Sequence, residues 1–371
     1  MDETRAPEIL PLTGLRAVLA WWVVLFHFGR ELVPPVVARV AAAGHIAVDV
    51  FFVLSGYVLA RRYAAVDLAT HDARRAFWGR RAARVYPLYV VSLSVGFAAS
   101  WPRGWSDLAT ASGQVRAALQ LFLLNAFAYR AMFAHNWAAW SLSVEVAFYA
   151  LFPWILGRLQ ARTPRELVVV VALACVATFV APALYTSLDP DHLGRPLLLG
   201  DERYWSAYLK FFPVQRMPEL VAGAAAALLV RARAGVSERG LGAPRRMAMG
   251  SAVGLVAIAA SGAVPFAYLH SGVLLPLVLL LVVSLDHAGG SWLAGGAVVA
   301  LGRASYATYI LHVPLFLLCA RFDRAVWSDA GHVAVYAVLL LAVSLAAHAW
   351  LEEPMRRAAR RFRPRGGRAA P

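Results

Sequence analysis

An arginine and a histidine stand eleven residues apart inside the apolar run 12–28, LTGLRAVLAWWVVLFHF. Eleven residues at about 100° each make three helical turns plus roughly 20°, so Arg16 and His27 share one helix face, about 16 Å apart along the axis. Both groups are costly in hydrocarbon, and such residues face a bundle interior or a functional site. A neutral imidazole in a low-dielectric site takes a hydroxyl proton, which makes His27 a candidate general base or acyl-accepting nitrogen. The plainer alternative is an interfacial anchor at Arg16 and a packing histidine at His27.

Other polar groups interrupt apolar runs in the same way. GHIAVDVFFVLSGYVLARR carries Asp49, either a helix-start residue or a group that orients a histidine, and Ser55 and Gly56, which permit close approach of another helix or a ligand. FWGRRAARVYP sets Arg80, Arg81 and Arg84 within about one turn. Such a cluster marks a cytoplasmic loop, or it clamps phosphate, since guanidinium forks bind phosphate oxygens bidentately. In WSLSVEVAFYALFP, Ser141, Glu145 and Tyr149 recur every four residues and share a face; the carboxylate serves either an ion pair or catalysis. QRMPELVAG adds Arg216 and Glu219, and LGRASYATYILHVP adds Ser305, Tyr306, Tyr309 and His312.

These residues need helices in a membrane to position them. The chain has 371 residues, 60% of them hydrophobic and 15% charged, with a mean hydropathy of +0.60. A soluble domain has roughly a quarter of its residues charged, so the expectation is an all-α polytopic membrane protein in a lipid bilayer. A formal charge of +15 does not point to nucleic acid here, because the arginines lie between apolar runs. Cys175 and Cys319 lie inside apolar runs and indicate no disulfide framework. No HExxH, phosphate loop, GxSxG elbow or zinc-type cysteine pair is present, so no metal is expected.

Ten spanning helices are expected, at about 10–30, 46–62, 85–101, 137–157, 166–186, 211–231, 247–264, 268–286, 304–320 and 332–351. Four segments between or beyond them hold 22 of the 36 basic residues, and all four fall on one side if both termini are cytoplasmic. Residues 115–133 break that pattern if they span, so they are expected as a re-entrant or surface helix. One domain, 1–355, precedes a basic tail, 356–371.

In order along the chain, Arg16 with His27, VDVFFVLSGYVL, RRAARVYP, WSLSVEVAFYALFP, RMPELVAG, LGRASYATYILHVP and LEEP resemble the acyltransferase 3 family of integral membrane O-acyltransferases. The resemblance implies a ten-helix core in a bacterial plasma membrane. It implies acyl-CoA as donor from the cytoplasm and, as acceptor, a hydroxyl on a glycan, a glycolipid or a glycosylated metabolite such as a macrolide. It makes His27 the reacting group, requires Arg16, matches Glu145 to a buried family glutamate, and brings Arg80, Arg81 and Arg84 to the donor. Asp49 or Glu145 would orient His27, while Ser141, Tyr149, Arg216, Tyr309 and His312 are candidates for substrate or oxyanion contacts. The competing reading, a transporter with Arg16, Glu145 and His27 as a relay, calls for inverted repeats and paired broken helices, and the sequence shows neither.

Cysteines introduced at Gly240 and Gly194 should be labelled from opposite sides of the membrane, the first from the cytoplasm. Labelling of both from one side would refute the helix count.

Overall fold

The structure is a computed structural model that describes residues 8–233, 244–288, 291–322 and 330–359. Gly240 and most of the basic tail lie outside the described residues. Ten helices form one bundle: α1 (Leu10–Phe28), α2 (Ala47–Tyr63), α3 (His71–Ala99), α4 (Trp140–Gln160), α5 (Pro164–Leu188), α6 (Pro213–Arg233), α7 (Pro244–Ser261), α8 (Leu275–His287), α9 (Ser305–Phe322) and α10 (Ala330–Ala347). Among the described residues there is no strand.

Each helix falls on one of the ten expected runs. Among the described residues, seven helices are long and apolar enough to cross a membrane by length and composition. The exceptions are α6, which carries Arg216 and Glu219, α7, which opens on Arg245 and Arg246, and α8, which has only 13 residues. The run expected at 268–286 is broken, with a short helix Phe266–Leu269 and a turn before α8. Gly272 makes that turn at φ +81°, and the Glu219 carboxylate lies 2.2 Å from where a Cβ would stand. Residues 115–133 do not form a span. A helix Ala111–Leu121 ends in short turns, and the buried Gln120 amide donates to the carbonyls of Ala131 and Ala134.

The cluster Arg80, Arg81 and Arg84 lies inside a helix, where a loop before residue 85 was expected. Thr70 caps α3 by accepting from the Ala73 amide at 3.3 Å, so the helix starts at His71 and carries its arginines into the bundle. At the other end of the bundle, the loop after α5 starts at Asp189 in the left-handed region, φ +39°, whose carboxylate accepts from the amides of Leu193 and Gly194. Farther along, Arg195 grips Asp201 through two bonds of 2.8 and 2.9 Å and holds its carboxyl down at about 2.

Two of the prolines inside helices are accommodated by borrowed donors. Proline lacks an N–H, so Pro153 orphans the Tyr149 carbonyl and Pro314 orphans that of Ile310. The Trp78 indole donates to the first at 2.9 Å, and the Asn136 amide to the second at 3.0 Å. In lipid no water would do so.

Glycines on both sides bring α2 and α6 into close contact. A Cβ on Gly56 would stand 2.0 Å from the Leu220 carbonyl oxygen, and one on Gly223 would stand 2.2 Å from that of Val53. The close approach expected at Gly56 is thus to a helix backbone.

Gly56→Val should force α2 and α6 apart and cost about 1–3 kcal/mol, read as a lower Tm of the detergent-solubilised protein. Gly157→Ala, with nothing within 4 Å of its Cβ, is the matched control. Equal melting of the two variants would show that the α2–α6 contact is loose.

Candidate active site

Two cavities meet inside the bundle, and Val48 and Tyr309 line both. The first lies toward the arginine-rich end. It is lined by Arg16 from α1, Ser55 and Arg62 from α2, Arg81 and Arg84 from α3, Ser141, Glu145 and Tyr149 from α4, and Ser305 and Tyr306 from α9. The four-residue spacing on α4 therefore does place three polar groups on one wall. Glu145 accepts from Ser55 at 3.0 Å and from the Tyr149 hydroxyl. Four guanidinium groups face this one carboxylate, and among the described residues none of the four is ion-paired within 4.0 Å. Arg81 is buried, lies 5.8 Å from the Tyr149 ring centroid, and its Nε has no hydrogen-bond partner among the described residues.

Arg80 is not on that wall. Its Nε donates to the Tyr63 hydroxyl at 3.2 Å. Arg62 is there instead, a residue the sequence shows only as one more arginine in a basic stretch.

The second cavity holds His27. It is lined also by Arg30, His45, Phe133, Trp137, Trp140, Glu202, Lys210, Phe266 and His270, so its wall is aromatic with polar groups set into it. Lys210 donates to the Asp201 carbonyl at 2.6 Å and lies 5.1 Å from the Phe266 ring centroid; burial pushes its ammonium down to about 8. His45 and His270 stack at 5.6 Å, and His45 Nε2 is buried without a partner among the described residues. Arg16 and His27, on one face of α1, thus open into different cavities.

The neighbours expected for His27 are not beside it. Its Nδ1 lies 3.0 Å from the Val23 carbonyl oxygen and 3.2 Å from His312 Nε2. Glu145 is committed to the first cavity. Asp49 faces α6, where Arg216 Nη1 reaches it at 3.1 Å and Glu219 at 3.2 Å. Arg216 is fully buried and lines neither cavity, which removes it from the candidates for substrate contact. At the junction, Ser141 donates to the Tyr309 hydroxyl at 2.8 Å, and Tyr309 donates to the Ala138 carbonyl at 3.3 Å.

Sequence reasoning missed most of the second cavity. Trp137, Lys210 and His270 come from loops and short helices, where no periodicity marks a face. Only the polar spacing on the long helices was a usable signal.

The profile of a family described as an acyltransferase domain matches residues 10–349. The chain is 28% identical over 390 residues to Acyltransferase MdmB of Streptomyces mycarofaciens, covering 97% of this chain and 95% of that protein. It is 31% identical over 203 residues to Protein 2 in picA locus of Rhizobium radiobacter, covering 49% of this chain and 99% of that protein. No solved structure matches the chain.

Asp49→Asn leaves Arg216 paired one-to-one with Glu219, so the protein should fold with little loss of Tm and keep acyl transfer within about tenfold. Arg216→Met strands two buried carboxylates and should cost about 3–5 kcal/mol, visible as lost folded yield. A folded Asp49→Asn protein that is inactive would return Asp49 to the catalytic residues.

Proposed function

The chain belongs to the acyltransferase 3 family, and from that premise we propose that it is a membrane O-acyltransferase using acyl-CoA to acylate a hydroxyl of a glycan, glycolipid or glycosylated metabolite. The observation that carries the donor assignment is the buried Arg81, whose Nε lacks an acceptor in a cavity with three further guanidinium groups. An uncompensated buried cation is costly, and a polyphosphate ligand relieves that cost. The cavity measures about 140 Å³, below the roughly 300–1,000 Å³ of sites that enclose a drug-sized ligand. It suits part of a short acyl donor, with the phosphates against Arg62, Arg81 and Arg84 and the rest of the nucleotide outside.

The acceptor enters the second cavity, of about 380 Å³, where aromatic side chains offer faces to a sugar ring. His27 takes the proton of the acceptor hydroxyl, and the hydroxyl oxygen bonds to the acyl carbon. The carbon–sulfur bond breaks, and the proton that His27 took from the acceptor passes to the released thiolate, which leaves His27 neutral. The Ser141–Tyr309 hydroxyl pair stands at the junction, and Tyr309 donates to the oxyanion by turning its proton away from the Ala138 carbonyl. With both termini cytoplasmic, the arginine-rich end faces the cytoplasm of a bacterial cell and the second cavity faces outward.

Purified protein in nanodiscs should transfer label from acyl-CoA to a glycosylated acceptor. His27→Gln should lower transfer by about two to four orders of magnitude. Arg81→Ala should raise the donor KM by about tenfold or more with His27 intact. Normal turnover in His27→Gln, or an unchanged donor KM in Arg81→Ala, would refute the corresponding role.

A further inference from the structure

One contact between α1 and α9, and one within each of the two helices, admit a single proton arrangement for two neutral imidazoles. His312 is fully buried in α9, with Nδ1 2.5 Å from the Tyr309 carbonyl oxygen. Its Nε2 lies 3.2 Å from His27 Nδ1, which in turn lies 3.0 Å from the Val23 carbonyl oxygen. A carbonyl oxygen only accepts, so His312 Nδ1 carries the ring proton and its Nε2 presents a lone pair. That lone pair faces His27 Nδ1, which carries its own proton and shares it between Val23 and His312. The opposite arrangement would aim a nitrogen lone pair at a carbonyl oxygen in both rings. His27 Nε2 is then left with its lone pair, on a ring that lines the second cavity.

The surroundings hold this geometry from both sides. Tyr336 on α10 donates to the His312 carbonyl at 2.6 Å, and Asn136 holds the Ile310 carbonyl one half-turn earlier. Phe28 meets the His312 ring edge-on, with centroids 5.8 Å apart.

We propose that His312 is the positioning residue of the transfer reaction: it accepts the Nδ1–H of His27, keeps His27 basic at Nε2, and stabilises the imidazolium formed when His27 takes the acceptor's proton. Its place in an apolar helix suggests contact with substrate or oxyanion; in the structure it acts through His27 alone. The inference rests on the transfer reading above for its kinetic consequences and on geometry for its proton arrangement.

Two variants and one spectrum test it. His312→Leu removes the acceptor and should lower kcat about 10- to 100-fold, while the KM for acyl-CoA, set in the other cavity, stays within about twofold. His312→Gln sets an amide oxygen near the place of Nε2 and should recover most of that loss. Nitrogen-15 NMR of histidine-labelled wild type in nanodiscs, assigned with the His27→Gln and His312→Gln variants, should show His27 protonated at Nδ1 and bare at Nε2. Active wild type with His27 protonated at Nε2, wild-type kcat in a folded His312→Leu, or a His312→Gln as slow as His312→Leu would each overturn the positioning role. Wild type that shows the expected tautomer yet transfers no acyl group would overturn the reaction assignment itself, and the positioning role with it.

Discussion

Arg216 makes the interactions on which the half of the bundle around the second cavity depends. Its guanidinium donates to Asp49 on α2, to Glu219 on its own helix, and twice to the Lys210 carbonyl at 3.0 and 2.6 Å. It also donates to His270 Nδ1 and lies 5.7 Å from the Trp140 ring centroid. One cation thereby joins α2, α4, α6, the helix Tyr204–Phe211 and the turn before α8. A guanidinium in a low-dielectric interior is tolerable only when its donors are taken, and five fixed donors with two carboxylates meet that condition. Lys210, His270 and Trp140 are also walls of the second cavity. The cavity's shape is therefore held by a charge that does not face into it.

The backbone imposes a second demand, and it leads into the site. Pro314 orphans the Ile310 carbonyl, and lipid supplies no water, so Asn136 must come to it. The same Asn136 accepts from the Ala138 amide at 3.2 Å and starts the short turn before α4. That turn sets Trp137 in the second cavity and aims the Ala138 carbonyl at the Ser141 and Tyr309 hydroxyls. A proline in α9 and a hydroxyl pair at the junction of the cavities thus belong to one chain of satisfied backbone groups. Removing any link leaves a polar atom buried without a partner.

How much of this was legible in the sequence follows from where the information lies. Helical spacing is local, so the shared face of Ser141, Glu145 and Tyr149 and the ten apolar runs could be read directly. Partner identity is not local. His27 meets His312, and Asp49 meets Arg216, across 285 and 167 positions, and no spacing rule selects among several buried polar groups on other helices. Arg80 and Arg62 show the same limit at close range. Both sit in a basic stretch, yet only rotation about α2 and α3 decides that Arg62 lines the first cavity while Arg80 bonds to Tyr63. The second cavity was least legible because much of its wall comes from loops, which carry no period.

The two cavities differ in charge as well as in shape, and the difference bears on what each can admit. The first sets Arg16, Arg62, Arg81 and Arg84 against Glu145; the second sets Arg30 and Lys210 against Glu202 among aromatic rings and imidazoles. A polyphosphate is attracted to the first, and carrying it onward past Val48 and Tyr309 would exchange four cations set against one carboxylate for two set against one. Under the proposed reaction, the donor's charged part gains nothing by following its acyl group. The neutral acyl carbon alone needs to pass the junction, and the Ser141–Tyr309 hydroxyls stand where its oxygen becomes anionic. His27 lies on the far side, with a proton acceptor ready for a hydroxyl that carries no charge of its own. In the proposed reaction, separating the two substrates by charge would keep the thioester in the first cavity and the acceptor in the second, so that they would meet only at the residues lining both.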